Sequence, residues 1–366
     1  MLRFFWFSVL FFVKASDIWA ASPEPCLQAS NTCTEWVTLD EQGQRGLIYR
    51  THPLTQRNET LEHAVIVIHG QGRNADGYFR HGLAGAFLAD ALKDTLLISP
   101  RFASNEGKDC RDTLDTNEVG WICLGPESWR NGGIQATPAT KKLQSFDFMD
   151  ALVLKLSDQA LFPKLRTLVI VGHSAGGQLV NRYQMVNPLH EKITAERKIQ
   201  ISYVVANPSS YTYPGALRPT RAAVPSNIAA AAPGYLAPVT DAKEQKAFVP
   251  YSDASGCTSF NRWPYGLEQK VGYASGISDE VIKQQLAKRP ATFLLGELDI
   301  LPLYGFDSSC AAMAQGPTRL ARGFAYTKFV NDTLQTNHPA VMVPACGHDA
   351  RCMFSAEAAL PHLFIK

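Results

Sequence analysis

One pentapeptide, Gly172-His173-Ser174-Ala175-Gly176, carries the sharpest chemical signal in the chain, and Gly177 follows it. It matches G-x-S-x-G, a pattern that holds a serine on a tight turn between a strand and a helix. The flanking sequence fits that context: TLVIV (167–171) reads as a buried strand, and GGQLVNRYQMV (176–186) as a helix. Small residues let the turn close, lift the hydroxyl clear of the strand and aim a helix N-terminus at it. A serine hydroxyl is a weak nucleophile until a base takes its proton. His348, in Cys346-Gly347-His348-Asp349, is the expected base, because it sits on a loop just past the last apolar strand. His338 precedes that strand, and His362 stands near the last residue. Asp299, in Gly296-Glu297-Leu298-Asp299-Ile300-Leu301-Pro302, is the expected acid that fixes the tautomer of the base. Glu297 is its rival and Asp307 a weaker one. An oxyanion needs preorganised N–H donors. The backbone of Ala175 is one, and Gln71, in His69-Gly70-Gln71-Gly72, is the other, with Gly70 permitting close approach. His69 reads as structural.

These residues need a scaffold, and the hydrophobic pattern describes one. Residues 64–69 (AVIVIH), 95–99 (TLLIS), 167–171, 201–206 (ISYVVA), 291–295 (ATFLL) and 339–343 (PAVMV) are apolar without alternation, as strands buried on both faces are. Helical stretches fall between them at 75–93, 145–157, 175–186, 279–288 and 318–334. The alternation predicts an α/β fold: a mostly parallel central sheet with helices on both faces. Residues 35–39 and 46–50 are expected as an antiparallel edge. Two segments break the rhythm. Residues 101–140 are rich in Gly, Asp and Asn, and 211–289 are long enough for a cap. The expected organisation is a leader over 1–20, a core over 21–210 and 290–366, and a cap over 211–289. Trp121 and Trp129 form either an aromatic wall for substrate or packing beneath the first insertion. Trp263, with Phe248, Val249 and Tyr265, either lines a lid or forms the core of the cap.

Composition is that of a globular protein, 46% hydrophobic and 19% charged, with a net charge of +2 and no basic stripe, so nothing points to nucleic acid. Arg3, the apolar run from Phe4 to Val13 and the small residues Ala20, Ala21 and Ser22 read as an export signal, cleaved after Ala20. The run is too short to span a bilayer, and no second long one follows. Eight cysteines behind such a signal imply four disulfides, in a secreted or periplasmic protein. Proximity along the chain favours Cys26–Cys33, Cys110–Cys123, Cys257–Cys310 and Cys346–Cys352. The last pair would close a tight loop around His348. Asn58 and Asn331 head glycosylation sequons. Asp109, Asp112 and Asp115 match no full calcium-loop pattern and read as solvated. No metal site or cofactor is expected.

The His-Gly-x-Gly loop, GHSAGG, GxxDxxP and GHD together resemble the α/β-hydrolase superfamily, from about Ala64 onward. The resemblance implies that Ser174, Asp299 and His348 are nucleophile, acid and base. HGQG departs from the HGGG of many lipases and esterases, so that branch is not implied. The expected activity is hydrolysis of a small-molecule carboxylic ester through an acyl-enzyme. A peptidase or amidase is the alternative, with Glu244 or Glu268 turned inward to hold a peptide terminus. A catalytically dead binding module is disfavoured, because all three members of the triad are present.

Overall fold

The computed structural model describes residues 24–107, 109–138, 143–219, 247–251, 256–303 and 305–365. The expected leader, 1–20, lies outside them. Eight strands form one sheet. We label them β1 (Thr34–Thr38), β2 (Arg45–Arg50), β3 (His63–Ile68), β4 (Thr95–Pro100), β5 (Thr167–His173), β6 (Gln200–Ala206), β7 (Ala291–Gly296) and β8 (Ala340–Val343). Their spatial order is β1-β2-β4-β3-β5-β6-β7-β8. Pairing is antiparallel at β1–β2 and β2–β4 and parallel everywhere else. β3, β4 and β5 are buried along their whole length, which explains their unbroken apolar sequences.

Helices cover the two faces: α1 (Ala75–Leu88), α2 (Ser145–Leu156), α3 (Ala175–Val186), α4 (Asp279–Lys288), α5 (Arg319–Leu334) and α6 (Ala350–Ser355). Two hydrophobic clusters follow, one on each side of the sheet. Ile66, Ile68 and Ile170 point into one with α2 and α3. Val65, Val67 and Val169 point into the other with α1 and α6. Neighbouring side chains on a strand face opposite ways, so a strand with two apolar faces needs two cores.

The expected helix 75–93 ends earlier, at Leu88. Asp90 takes a left-handed φ of 51°. Its N–H donates to Phe87 O, and that of Ala91 reaches back to Ala86 O. This is a Schellman closure made with Asp where glycine is usual, so no glycine marked it in the sequence.

The expected cap, 211–289, is described only in part; residues 220–246 and 252–255 lie outside the described residues. Tyr211 and Tyr213 at its start are fully buried, and Trp263, Leu267, Ile282 and Leu286 join the core beside α3. α4 packs against α3 and α5 as an ordinary crossover helix between β6 and β7, because Ile282 and Leu286 give it a buried stripe. Leu217–Pro219 and Phe248–Pro250 pair as a small antiparallel ribbon.

All eight cysteines pair as proximity favoured, with Cα–Cα separations from 5.5 to 6.3 Å. Among the described residues, no helix is long and apolar enough to cross a membrane.

Candidate active site

β5 delivers Ser174 to the carboxyl edge of the sheet. Ser174 has φ 58° and ψ −120°, a backbone strain that occurs where a sharp turn presents one side chain. Glycines make the turn sterically feasible. A Cβ on Gly172 would stand 2.2 Å from Gly176 O, and one on Gly176 would stand 2.4 Å from Ile68 O. The N–H of Ser174 donates to Ala206 O on β6, tying the turn to the next strand.

Three loops bring the other groups. His348 Nε2 lies 2.9 Å from Ser174 Oγ, and His348 Nδ1 lies 2.7 Å from Asp299 Oδ2. With Nδ1 carrying the proton, Nε2 is free to accept from the serine hydroxyl. Asp299 is 1% exposed and Ser174 8%, so the relay is shielded while the hydroxyl stays reachable. Neither rival acid touches the imidazole. Glu297 accepts from the N–H of Ala345, and Asp307 accepts from Tyr265 Oη.

The loop after β3 lies against Ser174: a Cβ on Gly70 would be 3.5 Å from Ser174 Cβ. The N–H groups of Gln71 and Ala175 have no hydrogen-bond acceptor among the described residues. Both are therefore available to an incoming oxyanion. Arg73 braces this loop. Its Nη1 donates to Gln71 O at 2.8 Å, and its Nε pairs with Asp112 Oδ2 at 2.6 Å. Asp112, expected as a solvated loop acid, is thus a half-buried anchor of that loop. His69 is fully buried, donates from Nδ1 to Gly70 O and accepts at Nε2 from the N–H of Phe102. Burial pushes its pKa down to about 4, so it stays neutral and ties two loops together.

Sequence reasoning missed three neighbours. Arg319, fully buried at the start of α5, sends Nη1 to Asp299 Oδ1 at 3.4 Å and Nε to Ser209 Oγ at 3.0 Å. Its only sequence signal is that it follows the N-cap residue Thr318. The His173 ring lies 4.7 Å from the His348 ring, tilted by 38°, and its Nδ1 is hydrogen-bonded with Tyr78 Oη at 3.0 Å. Burial holds its pKa well below the usual histidine value, which keeps a second cation away from His348. Arg130 donates to Gln71 Oε1 at 2.6 Å.

The three tryptophans lie apart from this cluster. Trp121 and Trp129 are fully buried, and Trp129 stacks on Phe102 with centroids 5.2 Å apart. They take the packing alternative, because the hairpin of Gly120–Trp121 and Gln135–Thr137 folds its aromatic side inward. Trp263 is 3% exposed and donates from Nε1 to Asn131 O, so it too is core rather than a substrate wall. Glu268 accepts from Asn261 Nδ2, and Glu244 lies outside the described residues. Among the described residues no group of His, Cys, Asp and Glu could hold a metal ion.

No family model matches the chain, and no curated protein matches it in sequence. Solved structures do match in fold. The poly(3-hydroxybutyrate) depolymerase LpqC from Bordetella parapertussis superposes with a TM-score of 0.53 at 21% identity, over 87% of this chain and 83% of that one. Poly(aspartic acid) hydrolase-1 from Sphingomonas sp. KT-1 gives 0.55 at 19% identity, over 87% and 93%. The chain has the α/β-hydrolase fold.

Proposed function

We propose that this protein is a serine hydrolase that cleaves carboxylic esters through an acyl-enzyme. The observation that carries the reading is the unbroken relay from Ser174 Oγ through His348 to the buried Asp299, at 2.9 and 2.7 Å. Both steps lie within hydrogen-bond reach, the geometry that general-base activation requires.

In this reading His348 Nε2 takes the hydroxyl proton as Ser174 Oγ attacks the acyl carbon. The carbonyl oxygen becomes an oxyanion and accepts from the N–H groups of Ala175 and Gln71. Asp299 stabilises the imidazolium that forms, without itself taking the proton. His348 then passes that proton to the departing alkoxide, which leaves as alcohol. Water attacks the acyl-enzyme by the same route and frees the acid. Esters are favoured over amides because an alkoxide departs more readily than an amine.

Export accompanies the reading. The apolar leader and the four cysteine pairs belong together, since disulfides persist in oxidising compartments.

Hydrolysis of p-nitrophenyl esters from acetate to palmitate, beside matched anilides, tests the proposal. Turnover of esters over anilides that disappears in Ser174→Ala is the expected result. Turnover that survives Ser174→Ala would sink it.

A further inference from the structure

A cluster of arginines interacts with few carboxylates. Asp307 acts on Arg130, Arg182, Arg319 and Arg322, and Asp299 acts on Arg319. Asp299 is engaged by His348 and Arg319. Asp307 accepts from Tyr265 Oη and from the N–H of Ser309.

Arg182 and Arg322 are fully buried, yet neither has a carboxylate partner among the described residues. Arg182 donates to Thr212 Oγ1, Ser210 Oγ and the carbonyls of Arg130 and Pro264. Arg322 donates to the carbonyls of Gly316 and Ser209 and to Met313 Sδ. Burial lowers their pKa values to about 9 and about 10, which leaves both charged at neutral pH. A buried cation without a counter-ion is costly, and a low local dielectric extends its field.

Arg130 links this cluster to the loop after β3, through Arg182 on one side and Gln71 on the other. Its one side-chain hydrogen bond among the described residues runs from Nη1 to Gln71 Oε1. A guanidinium offers five N–H donors in a planar fork that matches a carboxylate, so most of this fork is unspent. Gln71 follows Gly70, whose Cβ position is 3.5 Å from Ser174 Cβ. The turn at Gly305 faces Gln71 from the other side, with its Cβ position 4.0 Å from Gln71 Cβ.

We propose that the substrate carries a carboxylate close to the scissile acyl bond, and that Arg130 binds it as the residue setting specificity. Arg182 supplies background charge through its contact with the Arg130 carbonyl. The inference rests on the serine-hydrolase reading of Ser174. It assigns a substrate class, an acidic ester, which that reading leaves open.

The test uses two fluorophosphonates of equal chain length, one ending in a carboxylate and the other in its methyl ester. In both, Ser174 Oγ bonds to phosphorus, fluoride departs, and the serine proton passes to His348. The expected second-order inactivation rate is about tenfold or more higher for the carboxylate probe, the range of a charge-assisted hydrogen bond. That ratio shrinks as salt rises. Arg130→Gln brings it to about one, and Arg130→Lys retains part of it. A wild-type ratio of one or less overturns the inference while leaving the nucleophile intact. So does a ratio unmoved by Arg130→Gln, which would make Arg130 a support of the loop or of the oxyanion. Should Arg130→Gln not react even with the neutral probe, the wild-type ratio and Arg130→Lys decide. Failure of both probes on the wild-type protein removes the serine-hydrolase reading itself.

Discussion

The two halves of the site are held in different ways. Ser174 joins β5 to α3, whose first residue is Ala175, and every residue of both elements is buried. Packing fixes them, with the Ser174 N–H bond to Ala206 O. Gln71, Asp299 and His348 stand on loops, with Leu298 and Leu303 exposed nearby. Crosslinks and ion pairs take over there. The Cys110–Cys123 bridge touches Gln71, whose Nε2 is 3.7 Å from Cys123 Sγ. Cys346–Cys352 brackets His348, and Arg319 holds Asp299. A sheet positions a residue through many small contacts, whereas a loop needs a few strong ones, because ordering it costs conformational entropy that burial does not offset.

This contrast ranks the expected effects of perturbation. Ser174→Ala removes the proposed nucleophile and is expected to lower kcat by about a million-fold, measured on the ester series, with thermal unfolding unchanged within a few degrees. Asp299→Asn leaves the packing but presents the wrong hydrogen-bond partner to His348. The expected loss in kcat is about ten-thousand-fold. Full activity in that variant would move the acid elsewhere.

Arg319→Leu tests the loop half through stability as well as rate. It leaves the buried Asp299 carboxylate without its cation, for an expected loss of about 3 to 5 kcal/mol in denaturant unfolding. A loss below about 1 kcal/mol would mean that the pair does not hold the loop.

The crosslinks sharpen the comparison further. Replacing Cys346 and Cys352 together by serine frees the His348 loop. We expect a cost of about 2 kcal/mol in stability and a roughly tenfold drop in kcat. The same change at Cys26 and Cys33, which touch no site residue, should cost similar stability and leave kcat alone. Equal losses of activity from the two bridges would break the distinction drawn here.

Acid should unfold the protein through buried histidines. His52, His69 and His190 have pKa values lowered by burial to about 4, against 6.5 when unfolded. The unfolded chain therefore binds more protons between those values. Stability is full above about pH 6.5 and falls as pH drops toward 4. Asp150, raised to about 6 chiefly by burial, works in the opposite direction. Its folded state gains a proton first, so it adds stability as pH falls through about 6. His63, His81, His173, His338 and His362 are lowered by burial as well, and Glu118 is raised with Asp150, so the histidines outnumber the acids and predict a net fall in Tm, measurable by calorimetry from pH 7 to 4.

The sheet was legible because burial on both faces leaves unbroken apolar runs, and the Ser174 turn was legible because steric closure demands Gly172 and Gly176. His348 and Asp299 could be located because each follows a recognisable strand. Arg319, Arg130 and Arg73 could not. An arginine's role depends on which distant groups its long side chain reaches, and helix or loop periodicity carries no trace of that. The tryptophans show the same limit: an aromatic in a polar insertion reads alike whether it faces solvent or turns inward, as Trp121 and Trp129 do.

The central claim is that Ser174 forms an acyl-enzyme. Rapid mixing with p-nitrophenyl acetate, acid quenching and peptide mass mapping tests it directly. The account predicts a single acetyl group on the peptide that contains Ser174, absent from Ser174→Ala. An acetyl group mapped to another residue that turns over at the catalytic rate, or hydrolysis undiminished in Ser174→Ala, would contradict it.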